Sequence, residues 1–197
     1  MRAGETAGRW RVCTYNVFEG LDDWNEERVA SFKAWVASQD VDVIGLNEAN
    51  GFTQERLQWL AAACGLPHCH LQLAPTGFHL AVMSKHPISC IVDTSELSAK
   101  MWHGLLHAII DMTWTRCHVL VTHLTPFEAI KRQSEALAIS SYVQPYVREP
   151  LLLLGDLNSL SRLDREAHDH ERMRVDVILG SAKLRRKFCD VLGGDRL

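Results

Sequence analysis

The sequence predicts an α/β layered protein in which two β-sheets pack together with helices outside them. Three observations carry this. Strand-like and helix-like segments alternate over the first third of the chain. Short alternating segments then crowd between residues 68 and 122, and a helix followed by an apolar strand returns after them. Unbroken alternation would predict a single parallel doubly wound sheet, and the cluster of strands in the middle breaks that pattern.

Residues 9–18 alternate and are rich in β-formers, with Trp10, Val12 and Thr14 in a first strand that stops at Asn16-Val17-Phe18-Glu19-Gly20. Residues 24–38 place Val29, Phe32, Trp35 and Val36 at helical spacing with charges on the other face. Residues 42–46 are too short a run for a helix and read as a buried strand, running out into Asn47-Glu48. Residues 53–64 form a second amphipathic helix, stopped by Gly65 and Pro67. The segments 68–74, 78–84, 88–92, 105–113 and 118–122 are separated by turn residues such as Pro75-Thr76-Gly77 and His86-Pro87, which predicts antiparallel strands. Residues 126–142 read as a third helix, with Pro126 in a first turn that tolerates it. The apolar run Leu151-Leu152-Leu153-Leu154 follows as a strand. From Ser161 the chain is charged and helix-prone, with residues 174–179 its most apolar piece.

At 197 residues the chain has the length of one domain with a sizeable core, and residues 1–197 are read as a single domain. A hydrophobic content of 47% and a charged content of 23% are ordinary for a globular protein. The net charge of −3 lacks the basic footprint that long nucleic acid favours. No apolar run is long enough to span a bilayer, and the polar amino terminus lacks a signal-peptide core. The six cysteines are scattered, several within apolar strands, as buried free thiols are in a reducing compartment. A cytoplasmic protein is expected.

The chemistry lies at strand ends. One strand ends in Tyr15-Asn16, the next in Leu46-Asn47-Glu48, a later one in Thr122-His123-Leu124 and the last in Gly155-Asp156-Leu157-Asn158. On extended backbone Asp156 and Asn158 point the same way. The set offers carboxylates, amides and an imidazole. Hard oxygen ligands suit Mg²⁺ or Mn²⁺, which keep several waters and bind through one or two carboxylates plus substrate phosphate. An imidazole beside them can carry a proton or donate to a phosphoryl oxygen. Metal-assisted hydrolysis of a phosphoester is the reaction these residues best serve.

This ordered set resembles the endonuclease/exonuclease/phosphatase superfamily, whose fold is that of deoxyribonuclease I. The stretch from Gly77 to Ile88, with Ser84-Lys85-His86-Pro87-Ile88 at its end, is similar to the family's glycine-led strand and Ser-basic-x-Pro-Ile turn. The resemblance implies a four-layered α/β sandwich with two mixed, mostly antiparallel sheets and outer helices. It implies Glu48 as the principal Mg²⁺ ligand and Asn16 close to metal and phosphate. It further implies His123 on the scissile phosphate, Asp156 orienting the attacking water and Asn158 holding a phosphoryl oxygen. Metal-binding nucleases, phosphatases and lipid phosphodiesterases all belong to the superfamily. The implied partner is therefore a phosphoester substrate (a small phosphoester, a phospholipid or a nucleic acid), with no protein partner predicted.

The chain departs from the family late. Members carry a late strand with an Arg-Ile-Asp-Tyr-like motif and then a Ser-Asp-His motif. Here Asp169-His170 follows Asn158 too closely to sit on a returning strand, and Arg174-Val175-Asp176 is only a faint echo. The expectation is a domain cut short before its last strands, with an exposed sheet edge and weak or absent catalysis in the chain as written. The alternative is a non-catalytic binding or scaffold protein that keeps the fold without the terminal Asp-His. Other constellations are weaker. Cys64, His68, Cys69 and His70 straddle a turn and face opposite sides of a strand, against a zinc site. Lys183, Arg185, Arg186 and Lys187 read as a solvated helix face. Trp102-His103 sits in a loop as a candidate substrate-edge contact or an ordinary half-buried aromatic pair.

Overall fold

The computed structural model describes residues 10–159, in which the strands form two four-stranded sheets. Sheet A has the order β1 (Val12–Asn16), β2 (Val43–Asn47), β4 (Leu80–Ser84), β3 (His68–Gln72). Sheet B has the order β5 (Ile88–Ile91), β6 (Leu105–Met112), β7 (Thr115–His123), β8 (Leu151–Asp156). The pairs β1–β2 and β7–β8 are parallel and the others antiparallel, so both sheets are mixed. Readings made on Asp169-His170, on residues 174–179 and on the basic cluster at Lys183, Arg185, Arg186 and Lys187 lie outside the described residues.

Period-two alternation sorts the side chains into layers. Val43 of β2, Leu80 and Val82 of β4, Leu106, Ala108 and Ile110 of β6, and Val119 and Val121 of β7 fill the space between the sheets. Their neighbours Ile44, Leu46, Ala81 and Met83 face the other way, into a core shared with Val29, Phe32 and Val36 of α2 (Glu26–Gln39) and Leu57, Leu60 and Ala61 of α3 (Gln54–Ala63). On the far side of sheet B, Leu105 and Leu120 pack with Ile139 of α5 (Ala129–Tyr142). The sequence helix–sheet–sheet–helix is the four-layered sandwich. Gly45 sets the sheet spacing near the strand ends. A Cβ there would lie 3.0 Å from Val121 Cγ2 and 3.1 Å from Leu154 Cβ, so the two sheets close up where a side chain is missing.

Helix ends follow local chemistry. The Asn25 side chain accepts from the backbone amides of Glu27 and Arg28, and Thr53 Oγ1 accepts from Arg56 N. Each such cap contributes about 1 kcal/mol. Gly65, at φ +73°, ends α3 with its amide on Ala62 O and that of Leu66 on Ala61 O. The third predicted helix starts later than expected, at Ala129 instead of Pro126. The backbone of Thr125 is engaged by side chains of α5 itself: its amide donates to Glu135 and its carbonyl accepts from Arg132.

The segment α1 (Phe18–Trp24) winds left-handed, with every φ between +45° and +70°. L-residues resist this by roughly 1–2 kcal/mol each. Two contacts pin the segment: Gly20 N donates to Glu48 O at 2.7 Å, and Leu21 is buried in the helix-side core. Nothing in the sequence predicted it, beyond Gly20 itself.

Behind sheet B a polar chain runs through two buried histidines out to the surface. Tyr142 Oη meets His107 Nδ1 at 2.8 Å, His107 Nε2 meets His118 Nδ1 at 2.9 Å, and His118 Nε2 meets Glu149 Oε2 at 3.0 Å. The Tyr146 ring packs on both imidazoles. Burial, and then the neighbouring His118, push the His107 pKa down from 6.5 to about 4. The unfolded chain therefore binds a proton that the folded chain refuses between those values, and stability falls as pH drops through that window. The loss reaches roughly 3 kcal/mol, at 1.36 kcal/mol per pKa unit. Urea unfolding measured from neutral pH to about pH 4 should show this slope, and His107→Phe, less stable throughout, should flatten it.

Candidate active site

Four strands end at one rim of the sandwich with a polar residue in the phase that faces the opposite sheet. Val12 packs between the sheets, and Asn16 follows it in the same phase on β1. Val43 and Asn47 stand in that relation on β2, Val121 and His123 on β7, Leu154 and Asp156 on β8. The parallel registers place Asn16 beside Asn47 and His123 beside Asp156. Because β1 packs over β8, these pairs from different sheets meet.

The Asn16 amide is the meeting point. Its Nδ2 donates to Glu48 Oε1 at 2.9 Å and to Asp156 Oδ2 at 3.1 Å, while its Oδ1 accepts from Phe18 N. Residues 140 positions apart in sequence are thereby joined through one side chain. Glu48 sits at φ +58°, just past β2, and its Oε2 accepts from Glu19 N. That backbone turn points its carboxylate back over the strand ends. His123, buried, brings Nε2 to 3.8 Å from Asp156 Oδ2. Asp156 Oδ1 accepts from Asn158 N at 2.8 Å. Asn158 itself is 7% exposed, and its Nδ2 donates to Leu124 O at 2.7 Å. Asn16, Glu48, His123 and Asp156 thus share one rim, with Asn158 bracing the turn behind Asp156.

A divalent cation suits part of this set. Glu48 and Asp156 bring oxygens to opposite sides of one amide, so the two carboxylates converge without a positive side chain between them. Among the described residues no three His, Cys, Asp or Glu side chains gather closely enough to hold an ion by themselves. A carboxylate pair that leaves most ligand positions to water and substrate oxygens matches Mg²⁺ better than Zn²⁺. Asn16 turns its nitrogen, not its oxygen, toward the carboxylates. It would serve a cation as a ligand only with the amide reversed, and in its present pose it is a donor for anionic oxygens.

Three supporting residues stand behind these, of which the sequence offered only His103, with Trp102, as a candidate substrate-edge contact. Asn47, fully buried, donates to Thr122 O at 2.7 Å and accepts from Asp156 N at 3.1 Å, tying sheet A to sheet B directly behind the carboxylate. A lone polar residue closing an all-apolar strand was the available signal. His103 stacks on His123 with ring centroids 4.3 Å apart and an 18° tilt, and its Nδ1 lies 2.7 Å from Thr76 Oγ1. Burial, then the His123 charge, push its pKa from 6.5 down to about 3, so it packs as a neutral ring. Thr76 belongs to a loop that read only as a turn. No side-chain pattern linked these residues in advance.

Cys64 and Cys69 pack against the helix-side core, and Gln54 bonds the backbone and sulfur of Cys69. No helix among the described residues is long and apolar enough to cross a membrane.

Residues 13–194 match the model of the Endonuclease/Exonuclease/phosphatase family. No curated protein sequence matches the chain. An AP endonuclease from Archaeoglobus fulgidus shares the fold, with TM-score 0.64 and 16% identity over 84% of this chain and 63% of that one. Sphingomyelinase C from Streptomyces griseocarneus gives 0.58 and 22%, over 79% of this chain and 66% of that one. A double mutant of beta toxin from Staphylococcus aureus, with bound magnesium ions, gives 0.58 and 16%, over 77% and 65%. The chain spans just under two thirds of the length of each.

Proposed function

Since the chain belongs to the endonuclease/exonuclease/phosphatase family, we propose that it is a Mg²⁺-dependent phosphoesterase that uses water as the nucleophile at the rim of Asn16, Glu48, His123 and Asp156. Family members are hydrolases acting on phosphoesters. The observation that carries the reading is the convergence of Glu48 and Asp156, from different sheets, on the two N–H bonds of Asn16. Magnesium bound to a structural neighbour of this fold supports the choice of metal, and Mn²⁺ has the same ligand preferences.

Glu48 and Asp156 would hold the cation, which would supply positive charge to offset the negative charge developing on the phosphoryl oxygens. Asp156 accepts a proton from the attacking water and orients it in line. The water oxygen forms a bond to phosphorus as the P–O ester bond breaks, a protonated His123 gives its proton to the leaving oxygen, and the proton taken up by Asp156 restores it. The neutral ring of His103 beneath His123 fixes the imidazole plane. Asn16 is the amide placed to donate to a phosphoryl oxygen, while Asn158, whose Nδ2 is held by Leu124 O, braces the turn that carries Asp156 and Asn47 holds the Asp156 backbone still. The thiols of Cys13, Cys64, Cys69, Cys90 and Cys117 are free, which fits a reducing, cytoplasmic setting.

The metal reading is tested without turnover. Mg²⁺ at about a hundredfold excess over its dissociation constant should raise the melting temperature by roughly 5–10 °C, reversed by chelator. Glu48→Gln should remove that shift. A wild-type protein whose melting is blind to Mg²⁺ and Mn²⁺ would overturn the assignment.

A further inference from the structure

We propose that Trp102 and Phe127 form a stacking subsite for a base of the substrate, so that the ester cleaved at the rim is that of a nucleotide. This deepens the phosphoesterase reading and rests on it for the reaction, though not for the binding.

Both rings are exposed, Trp102 by 45% and Phe127 by 39%, and neither joins a core cluster among the described residues. They lie on different loops, Trp102 between α4 (Ser95–Ser98) and β6, Phe127 between β7 and α5. Their centroids are nevertheless 5.2 Å apart with planes at 83°. Exposed aromatics on separate loops lose side-chain freedom when held in one relation, a cost that their edge-to-face contact offsets only in part.

The restraint is built beneath them. Glu135 of α5 is 6% exposed, and its two carboxylate oxygens are split between the loops. Oε1 accepts from Trp102 N at 2.6 Å and Oε2 from Thr125 N at 2.8 Å. Arg132, one turn earlier and equally buried, donates to Thr125 O. Burying a carboxylate and a guanidinium is expensive unless they are hydrogen-bonded, and the bonds they make here are to loop backbone. What the buried pair fixes is the relative position of the two aromatic loops. Glu135 is therefore a positioning residue for the ring pair.

The pair also adjoins the site. Trp102 lies 6.4 Å from the His103 ring, which stacks on His123 at 4.3 Å. Ring-to-ring contacts thus connect the exposed pair, through His103, to the His123 imidazole. A flat ligand two ring contacts from His123 fits a base carried on a sugar, rather than a ring esterified directly to phosphorus. A two-ring platform is also small for an acyl chain, which needs a continuous apolar trough. Base–aromatic stacking tolerates any base, because every base has a π-face.

The test measures binding of a fluorescein-labelled oligothymidylate to the full chain in chelator, where no turnover occurs, against the same sugar–phosphate strand lacking bases. Wild type should favour the base-bearing strand by about ten- to a hundredfold. Trp102→Ala and Phe127→Ala should remove that preference while leaving affinity for the abasic strand unchanged, and Trp102→Phe should keep most of it. Glu135→Gln, which turns one acceptor into a donor facing a backbone amide, should lower the preference without changing abasic binding. Equal wild-type binding of both strands would overturn the proposal, as would Trp102-dependent binding to phosphatidylcholine vesicles with no base preference. Base-dependent binding with no hydrolysis of any phosphodiester in Mg²⁺ would instead remove the phosphoesterase reading and leave the subsite standing.

Discussion

Replacing Glu48 by glutamine is expected to lower Mg²⁺-stimulated phosphodiester hydrolysis by about 10²–10³-fold, the size of effect seen when one electrostatic contact to the transition state is lost. The substitution keeps the shape and one acceptor. Its oxygen can still take the Asn16 amide proton, while the bond from Glu19 N to Oε2 is lost. What disappears is the charge. In the cation-free protein that charge faces Asp156 across a single amide, so its removal relieves repulsion, and unfolding by urea should show stability unchanged or raised. Opposite signs for activity and stability are the signature of a residue held in place for chemistry. Initial rates across a Mg²⁺ titration, paired with the urea curves, give both numbers. Unchanged turnover in E48Q would count decisively against Glu48 as the metal ligand. His123→Ala should show the complementary split, with turnover falling while the Mg²⁺-induced rise in melting temperature stays close to wild type.

The rim was legible in the sequence to the extent that period-two alternation is. Val12 and Asn16, Val43 and Asn47, Val121 and His123, and Leu154 and Asp156 each place a polar residue in the phase of an apolar inter-sheet one. That phase is a property of the strand, visible without coordinates. Glu48 lies one residue past its strand, and its direction depends on a positive φ that no residue type there advertises. Its presence near the site was readable and its aim was not. The left-handed α1 was hidden for a stronger reason. Phe18, Glu19, Leu21, Asp22, Asp23 and Trp24 all disfavour the conformation, and the compensation comes from Glu48 O and from the core that buries Leu21, both remote in sequence. The late start of α5 has the same origin, since Pro126 marked a plausible first turn while Glu135 and Arg132 had already engaged the backbone of Thr125. Pattern locates residues on their own elements, whereas side-chain-to-backbone bonds between elements set the loops. The loops are where His103, Thr76 and the aromatic pair are found.

Gly155→Ala is expected to be the most damaging single substitution at the rim, costing about 4 kcal/mol or more, at the exceptional end for point changes. Two penalties coincide. Gly155 sits at φ +146°, a region that side-chain-bearing residues avoid at roughly 1–3 kcal/mol. A Cβ built there would also lie 1.9 Å from the Thr122 carbonyl oxygen. That atom is backbone of the paired strand, aligned by the β7–β8 register, so no rotamer change relieves the clash. It is also the carbonyl that accepts from Asn47 Nδ2. Relief requires β8 to move away from β7, which pulls Asp156 off Asn47 Oδ1 and off the Asn16 amide together. The substitution should therefore act twice, lowering the urea midpoint and, in whatever fraction stays folded, cutting turnover through a displaced Asp156. Gly45→Ala is the internal control. Its Cβ would meet the side chains of Val121 and Leu154 at 3.0–3.2 Å, contacts that side chains can partly yield, so the loss should stay within the roughly 1–3 kcal/mol of ordinary overpacking. Equal destabilisation by the two substitutions would mean that the close approach of Gly155 to Thr122 is not what positions the Asp156 carboxylate.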